Sequence, residues 1–96
     1  MRPFEAFHDH RAVIREIALR HRVRNVRVFG SVLHGYDNED SDLDLLVDPT
    51  KDTTLFDIGA IRYELKELLG VGVDVLTPKS LPDCFREIAL KEALPV

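Results

Sequence analysis

Two aspartates one residue apart, Asp42 and Asp44, open an apolar run in S-D-L-D-L-L-V-D. In an extended strand successive side chains point to opposite faces. Asp42 and Asp44 therefore share one face, and Leu43, Leu45 and Val47 share the other. The two carboxylates are expected about 6.5 Å apart along the strand. Two bare charges at that separation repel by roughly 3 kcal/mol at an effective dielectric near 20. A divalent cation between them would turn the repulsion into attraction. A third acid, Asp74, stands in V-G-V-D-V-L, where Val71, Val73 and Val75 face one way and Gly72, Asp74 and Leu76 the other. With no cysteine or paired histidine nearby, the donor set is all oxygen, which suits magnesium, with manganese as a substitute. Upstream, Gly30-Ser31 ends a short apolar stretch. Glycine lets the backbone approach a bulky anion, and the hydroxyl and free amides of a turn can meet phosphate oxygens. A phosphate cradle beside paired acids describes a nucleoside triphosphate site. Two metals held there would suit in-line displacement at phosphorus.

Each piece has a plainer reading. A D-x-D pair can be a solvated strand end, Gly-Ser a simple turn, and Asp74 an exposed acid. Their convergence on one face carries the argument. Rival metal sites fail on the letters. A calcium EF-hand loop begun at Asp40 has Leu45 where glycine is required and Lys51 where glutamate is. No G-x-x-x-x-G-K-[ST] occurs. A D-x-D glycosyltransferase needs a larger fold. His8, His10 and His21 are scattered without ligand spacing and are expected to be solvated.

The elements that must position these residues follow from periodicity. Pro3 to about His21 reads as a helix with Phe7, Ile14, Ile17 and Ala18 on one stripe. Val23 to Phe29 is a strand in which Arg24 shares the parity of Val26 and Val28. Val32 to His34 is one helical turn that Gly35 can close in a left-handed conformation. Tyr36 to Ser41 is a polar loop, and Asp42 to Val47 the second strand. Leu55, Ile58, Ile61, Leu65, Leu68 and Leu69 recur at helical spacing, capped by Thr54 with Asp57 and stopped by Gly70. Val71 to Leu76 is the third strand. A last helix starts near Ser80 with Leu81, Phe85, Ile88 and Ala89 inward, and Leu94-Pro95 ends it. The expected class is α/β (α+β), in the order α-β-β-α-β-α. A three-stranded sheet is covered by helices on one face and is acidic on the other.

The 96 residues suit a single domain spanning 1–96. A net charge of −4 argues against a grip on nucleic acid by bulk positive charge. The one cysteine, Cys84, allows no internal disulfide. The start lacks the apolar segment of a secretory signal, and no apolar run approaches a membrane span. The expected location is the cytoplasm.

The composite G-S-x-x-x-G-x-x-x-x-x-S-D-x-D, here Gly30, Ser31, Gly35, Ser41, Asp42 and Asp44, resembles the signature of the DNA polymerase beta-like nucleotidyltransferase superfamily. With the short chain and Asp74, it looks like a minimal nucleotidyltransferase. The resemblance implies a nucleotidyltransferase fold with a small mixed sheet, two magnesium ions, and transfer of a nucleoside monophosphate, AMP from ATP, to a hydroxyl. By that analogy Asp42 and Asp44 hold both metals. Asp74 completes the site and accepts the proton of the attacking hydroxyl. Gly30, Ser31 and Ser41 bind the nucleotide. Small members of the family are paired with a helical HEPN-domain toxin, as antitoxins that in some cases adenylylate the toxin on tyrosine. Many relatives read G-S-x-A-R-G, where this chain has Leu33-His34. Histidine is a weaker substitute near neutral pH, being only partly charged. Two alternatives remain open: a non-catalytic antitoxin that neutralises by binding, and a small-molecule, aminoglycoside-type nucleotidyltransferase. The latter usually carries a second domain for the acceptor.

Overall fold

The computed structural model describes residues 2–96. Chain order runs α1 (Pro3–Asp9), α2 (Arg11–Leu19), β1 (Val23–Phe29), α3 (Ser31–His34), β2 (Leu43–Pro49), α4 (Leu55–Leu69), β3 (Val73–Leu76), a 3-10 turn (Pro78–Ser80), α5 (Asp83–Glu92) and β4 (Leu94–Pro95). The sheet is mixed, in the order β3-β2-β1-β4, with β2 parallel to β3 and β1 antiparallel to both β2 and β4. The α+β class and the mixed sheet are as expected. The fourth strand is additional: Leu94-Pro95 ends no helix but pairs with Arg27 and Val28.

The period-two reading of β2 holds: Leu43, Leu45 and Val47 are fully buried. They join Val28, Val73 and Val75 in the main core, closed by Ile14, Ile17 and Ala18 of α2 and Ile61, Leu65 and Leu69 of α4. In β1 the alternation breaks. Asn25 takes a left-handed backbone (φ 49°), and the register slips by one residue between Arg24 and Arg27. This bulge turns Val23 inward with Val26 and leaves Arg24 exposed. The Asn25 amide donates to Asp48 Oδ2 at 2.7 Å, which holds the bend.

Helix boundaries shift where caps decide them. The expected long first helix is two, broken at His10 (φ −124°, ψ 23°). The α4 cap is as read: Thr54 and Asp57 form a reciprocal box, and Gly70 ends the helix at φ 70°. Of the expected α4 stripe, however, Leu55 and Leu68 are exposed. Ser80 starts no helix; it closes the 3-10 turn with Thr77, and α5 follows Pro82.

Helices also do not keep to one face. Phe29 and Leu46, on the side opposite the main core, form a second cluster with Leu81, Ala89, Leu76 and Ala93. Within α5 it is Ala89 that is buried, while Phe85 and Ile88 stay largely exposed. The second face is thus divided. Its Leu46 and Leu76 end is covered, and its Asp44 and Asp74 end carries the acids.

Candidate functional site

The parallel register places Asp44 beside Asp74, as it places Leu43 beside Val73. Neighbouring strands lie about 4.8 Å apart, so the two carboxylates leave adjacent strands on the same face. Asp42 lies one residue ahead of β2 rather than within it. It is nevertheless held: the Leu43 amide donates to the Gly72 carbonyl at 2.8 Å. A Cβ on Gly72 would overlap Asp42 Oδ1 and come within 3.0 Å of its Cγ. The Asp42 carboxylate therefore leans over the entry to β3, two residues from Asp74.

The Asp44 carboxyl is pushed up to about 6, first by burial, then by the charge of Asp74, then by that of Asp42. Asp44 thus feels the charge of both other acids. Among the described residues, though, no group of three or more His, Cys, Asp or Glu is gathered into a ready metal cage. Holding an ion would require side-chain rotation. The donor set fits magnesium. It is all oxygen, half-buried at Asp44, and strained by like charge that a cation would relieve.

Gly30 lies against the same acid. At φ 80° it suits glycine, and a Cβ there would collide with Asp44 Oδ2 and stand 3.3 Å from its Cγ. The end of β1 and the carboxylate of β2 are therefore in contact across paired residues Phe29 and Asp44. Ser31, half-exposed, begins α3, and Gly35 closes it at φ 74°, as read from the sequence. Ser41 serves the loop: its hydroxyl accepts from the Asn38 amide at 3.0 Å, and Asp40 donates its amide to Asn38 Oδ1 at 2.8 Å. The structure thus brings Asp42, Asp44, Asp74 and Gly30 together, with Ser31 next in chain. Ser41 stands one residue before Asp42 in a hydrogen-bonded turn.

His34 reaches elsewhere. Its Nε2 is 2.9 Å from Glu92 Oε2 at the end of α5, and its ring stacks on Tyr36 with centroids 6.2 Å apart. His21 likewise meets Glu64 at 3.1 Å. A cavity of about 210 Å³ is lined by Phe4, Phe7, Arg11, Val28, Val32 and Leu94 among others. None of the candidate residues lines it, and its walls are mostly apolar.

Two residues that matter went unread. Gly72 is required only once the β2–β3 register is known; its spacing of two from Asp74 was the available signal. Asp37, one acid among several in Y-D-N-E-D, is buried beneath the start of α1. Its Oδ2 accepts from the Phe4 amide and its Oδ1 from Arg2, both at 2.9 Å. The Arg2 hydrogen bond leads in holding this carboxyl below the usual carboxylate range, against the opposing effect of burial. It caps α1 from across the fold and so anchors the loop that leads to Asp42.

The profile of the nucleotidyltransferase domain family matches residues 10–96. A candidate protein adenylyltransferase of Methanocaldococcus jannaschii is 39% identical over 80 residues, covering 83% of this chain and 86% of that protein. The protein adenylyltransferase MntA of Thermococcus cleftensis is 36% identical over 80 residues, covering 83% and 81%. A solved structure described as a candidate minimal nucleotidyltransferase superposes with a TM-score of 0.86 at 41% identity, over 97% of this chain and 95% of that one. A toxin–antitoxin structure with AMP-PNP shares the fold, with a TM-score of 0.72 at 17% identity, over 85% and 68%.

Proposed function

The chain belongs to the nucleotidyltransferase domain family and is an enzyme of nucleotidyl transfer, and from that premise we propose that it is a magnesium-dependent protein adenylyltransferase. It moves AMP from ATP to a hydroxyl of a partner protein, and that partner is a HEPN-type toxin. The observation that carries the reading is the contact between Gly30 and Asp44, which sets the backbone turn against the acid trio with no side chain between.

Asp42, Asp44 and Asp74 would hold magnesium, which when bound offsets the charge of the polyphosphate and of the reacting phosphoryl oxygens. The turn at Gly30 and Ser31 would carry the triphosphate tail. Asp44, half-buried between two acids, fixes the floor of the site. Asp74, on the outer of the two strands, accepts the proton of the acceptor hydroxyl. The hydroxyl oxygen then bonds to the α-phosphorus, the bond from that phosphorus to the bridging oxygen breaks, and pyrophosphate leaves. A protein acceptor accords with the adenylyltransferase names of the relatives, and a toxin with the assembly in which the distant fold neighbour was solved.

Purified chain, magnesium, ATP labelled at the α-phosphate and the HEPN-type partner should yield a labelled partner. Asp42→Asn and Asp44→Asn should each abolish the label. Labelling that survives both removes the metal mechanism. A second reading, neutralisation by contact alone, draws on His34, whose ring is engaged by Glu92 rather than free for phosphate. It predicts that protection from the toxin persists in the Asp42→Asn, Asp44→Asn double variant.

A further inference from the structure

Between Gly30 and Gly35 the chain makes a single helical turn, α3, with a glycine at positive φ on either side (80° and 74°). Glycine holds a turn less stiffly than other residues do. On its inner side α3 is fixed by Val32, which is buried in the main core. On its outer side the anchor is His34. Its Nε2 lies 2.9 Å from Glu92 Oε2, and since a carboxylate only accepts, the ring donates. Among the described residues no other side chain of α3 makes a hydrogen bond.

Glu92 is held firmly in turn. It ends α5, which packs Ala89 in one cluster with Phe29 and Leu46. Directly after it, Ala93 donates its amide to the Ala89 carbonyl at 2.9 Å, and Leu94 pairs with Val28. The end of α5 therefore stands alongside the end of β1, from which the Gly30-Ser31 turn departs. A carboxylate at the C-terminal end of a helix opposes the helix dipole. Glu92 goes against that preference, and the His34 ring offsets it.

We propose that His34 and Glu92 are positioning residues for the nucleotide. Their bridge ties the Gly30-Ser31 turn to α5, so that the triphosphate tail meets a turn already in place. This rests on the assignment of that turn to the triphosphate tail, and it gives His34 a role without phosphate contact. The sign of the Glu92 effect separates it from charge alone. Glu92 is an acid beside the turn, so by charge alone its removal should tighten binding of a polyanion. If the bridge holds the turn, its removal weakens binding, because the nucleotide must then order the turn itself. Ordering one residue suffices for a loss of about fivefold. Stability should barely respond, since an ion pair with both side chains nearly half-exposed contributes little.

The test is calorimetric titration of the full chain with magnesium–ATP, which needs no acceptor protein. His34→Ala and Glu92→Ala should each raise Kd about fivefold or more. The double variant should match either single one rather than multiply the losses. His34→Gln, whose amide can still donate to Glu92, should stay within about twofold of the parent. All should melt within about 4 °C of the parent. A Glu92→Ala variant that binds as tightly as the parent, or more tightly, overturns the proposal. So do losses that multiply in the double variant, a His34→Gln loss as large as that of His34→Ala, or a loss of affinity matched by a collapse in melting temperature. Asp44→Asn separates these failures from that of the nucleotidyl-transfer site. If the parent binds magnesium–ATP and Asp44→Asn does not, the site stands and only the bridge falls. A parent that binds no magnesium–ATP at about 1 mM removes both.

Discussion

At the scale of single residues, the acids trade stability for charge. Asp44 carries a folded-state pKa of about 6, above its ordinary value of 3.8. The folded protein therefore holds this proton more tightly than the unfolded chain. Stability from this group is greatest below pH 4 and falls as pH rises through 6. After discounting for its partial exposure, ionised Asp44 costs about 1–2 kcal/mol at pH 7. Asp44→Asn should accordingly raise the unfolding free energy by that amount in EDTA at pH 7, and by almost nothing at pH 4. A variant no more stable than the parent at pH 7 would contradict this account. Gly72→Ala should act differently. Its methyl displaces the flexible end of Asp42 and strains no backbone. The melting temperature should stay within about 3 °C of the parent, while magnesium-dependent labelling drops by about tenfold or more. The three aspartates were legible because strand periodicity is local. Gly72 was not, since only the pairing of two distant segments puts it under Asp42.

Among the elements, the N-terminal helix depends on a residue outside it. Asp37→Ala removes the acceptor of the Phe4 amide and of Arg2. It should cost about 1–2 kcal/mol in chemical denaturation. Because this carboxyl is depressed in the folded state, its contribution is full above the unfolded value near 4. It is lost as pH falls further, through the folded value. An Asp37→Ala protein as stable as the parent at pH 7 would rule out the cap. The cap could not be read locally, because its acceptor lies 33 residues along the chain. The α4 box at Thr54 and Asp57, with its stop at Gly70, could be read, since all its partners lie within the helix and its flanks. The exposure of Leu55 and Leu68 could not: helical spacing identifies a stripe but not its edges. β4 was missed for a related reason, as two residues acquire strand character only from their neighbour β1.

For the molecule as a whole, charge is unevenly placed. Of 13 basic residues, the arginines at 2, 11, 15, 20, 22, 24 and 27 precede the Gly-Ser turn, and most of the 17 acids follow it. A triphosphate thus approaches a strongly acidic portion of the chain. Binding of ATP measured by calorimetry should be undetectable at about 1 mM in EDTA and should appear with magnesium. Equal affinity in both buffers would argue against carboxylate-held metal. The division of the second sheet face matters here too. α5 covers Leu46, which is fully buried, and leaves the neighbouring acids clear. Leu46→Ala should lower stability by about 2–4 kcal/mol, measured in urea. The sequence suggested an open acidic face because the apolar half of that face, Phe29, Leu46 and Leu76, shows no signal separate from the main core.

Arg62 occupies the outward carbonyl of Val73 on β3, and Arg11 that of Pro95 on β4, at 2.7 Å. Pro95 itself has no amide hydrogen to offer. One outward carbonyl on each rim is therefore taken by a guanidinium group, which leaves a foreign strand fewer partners there. Removing either guanidinium should make the chain more prone to edge-to-edge association on refolding from denaturant.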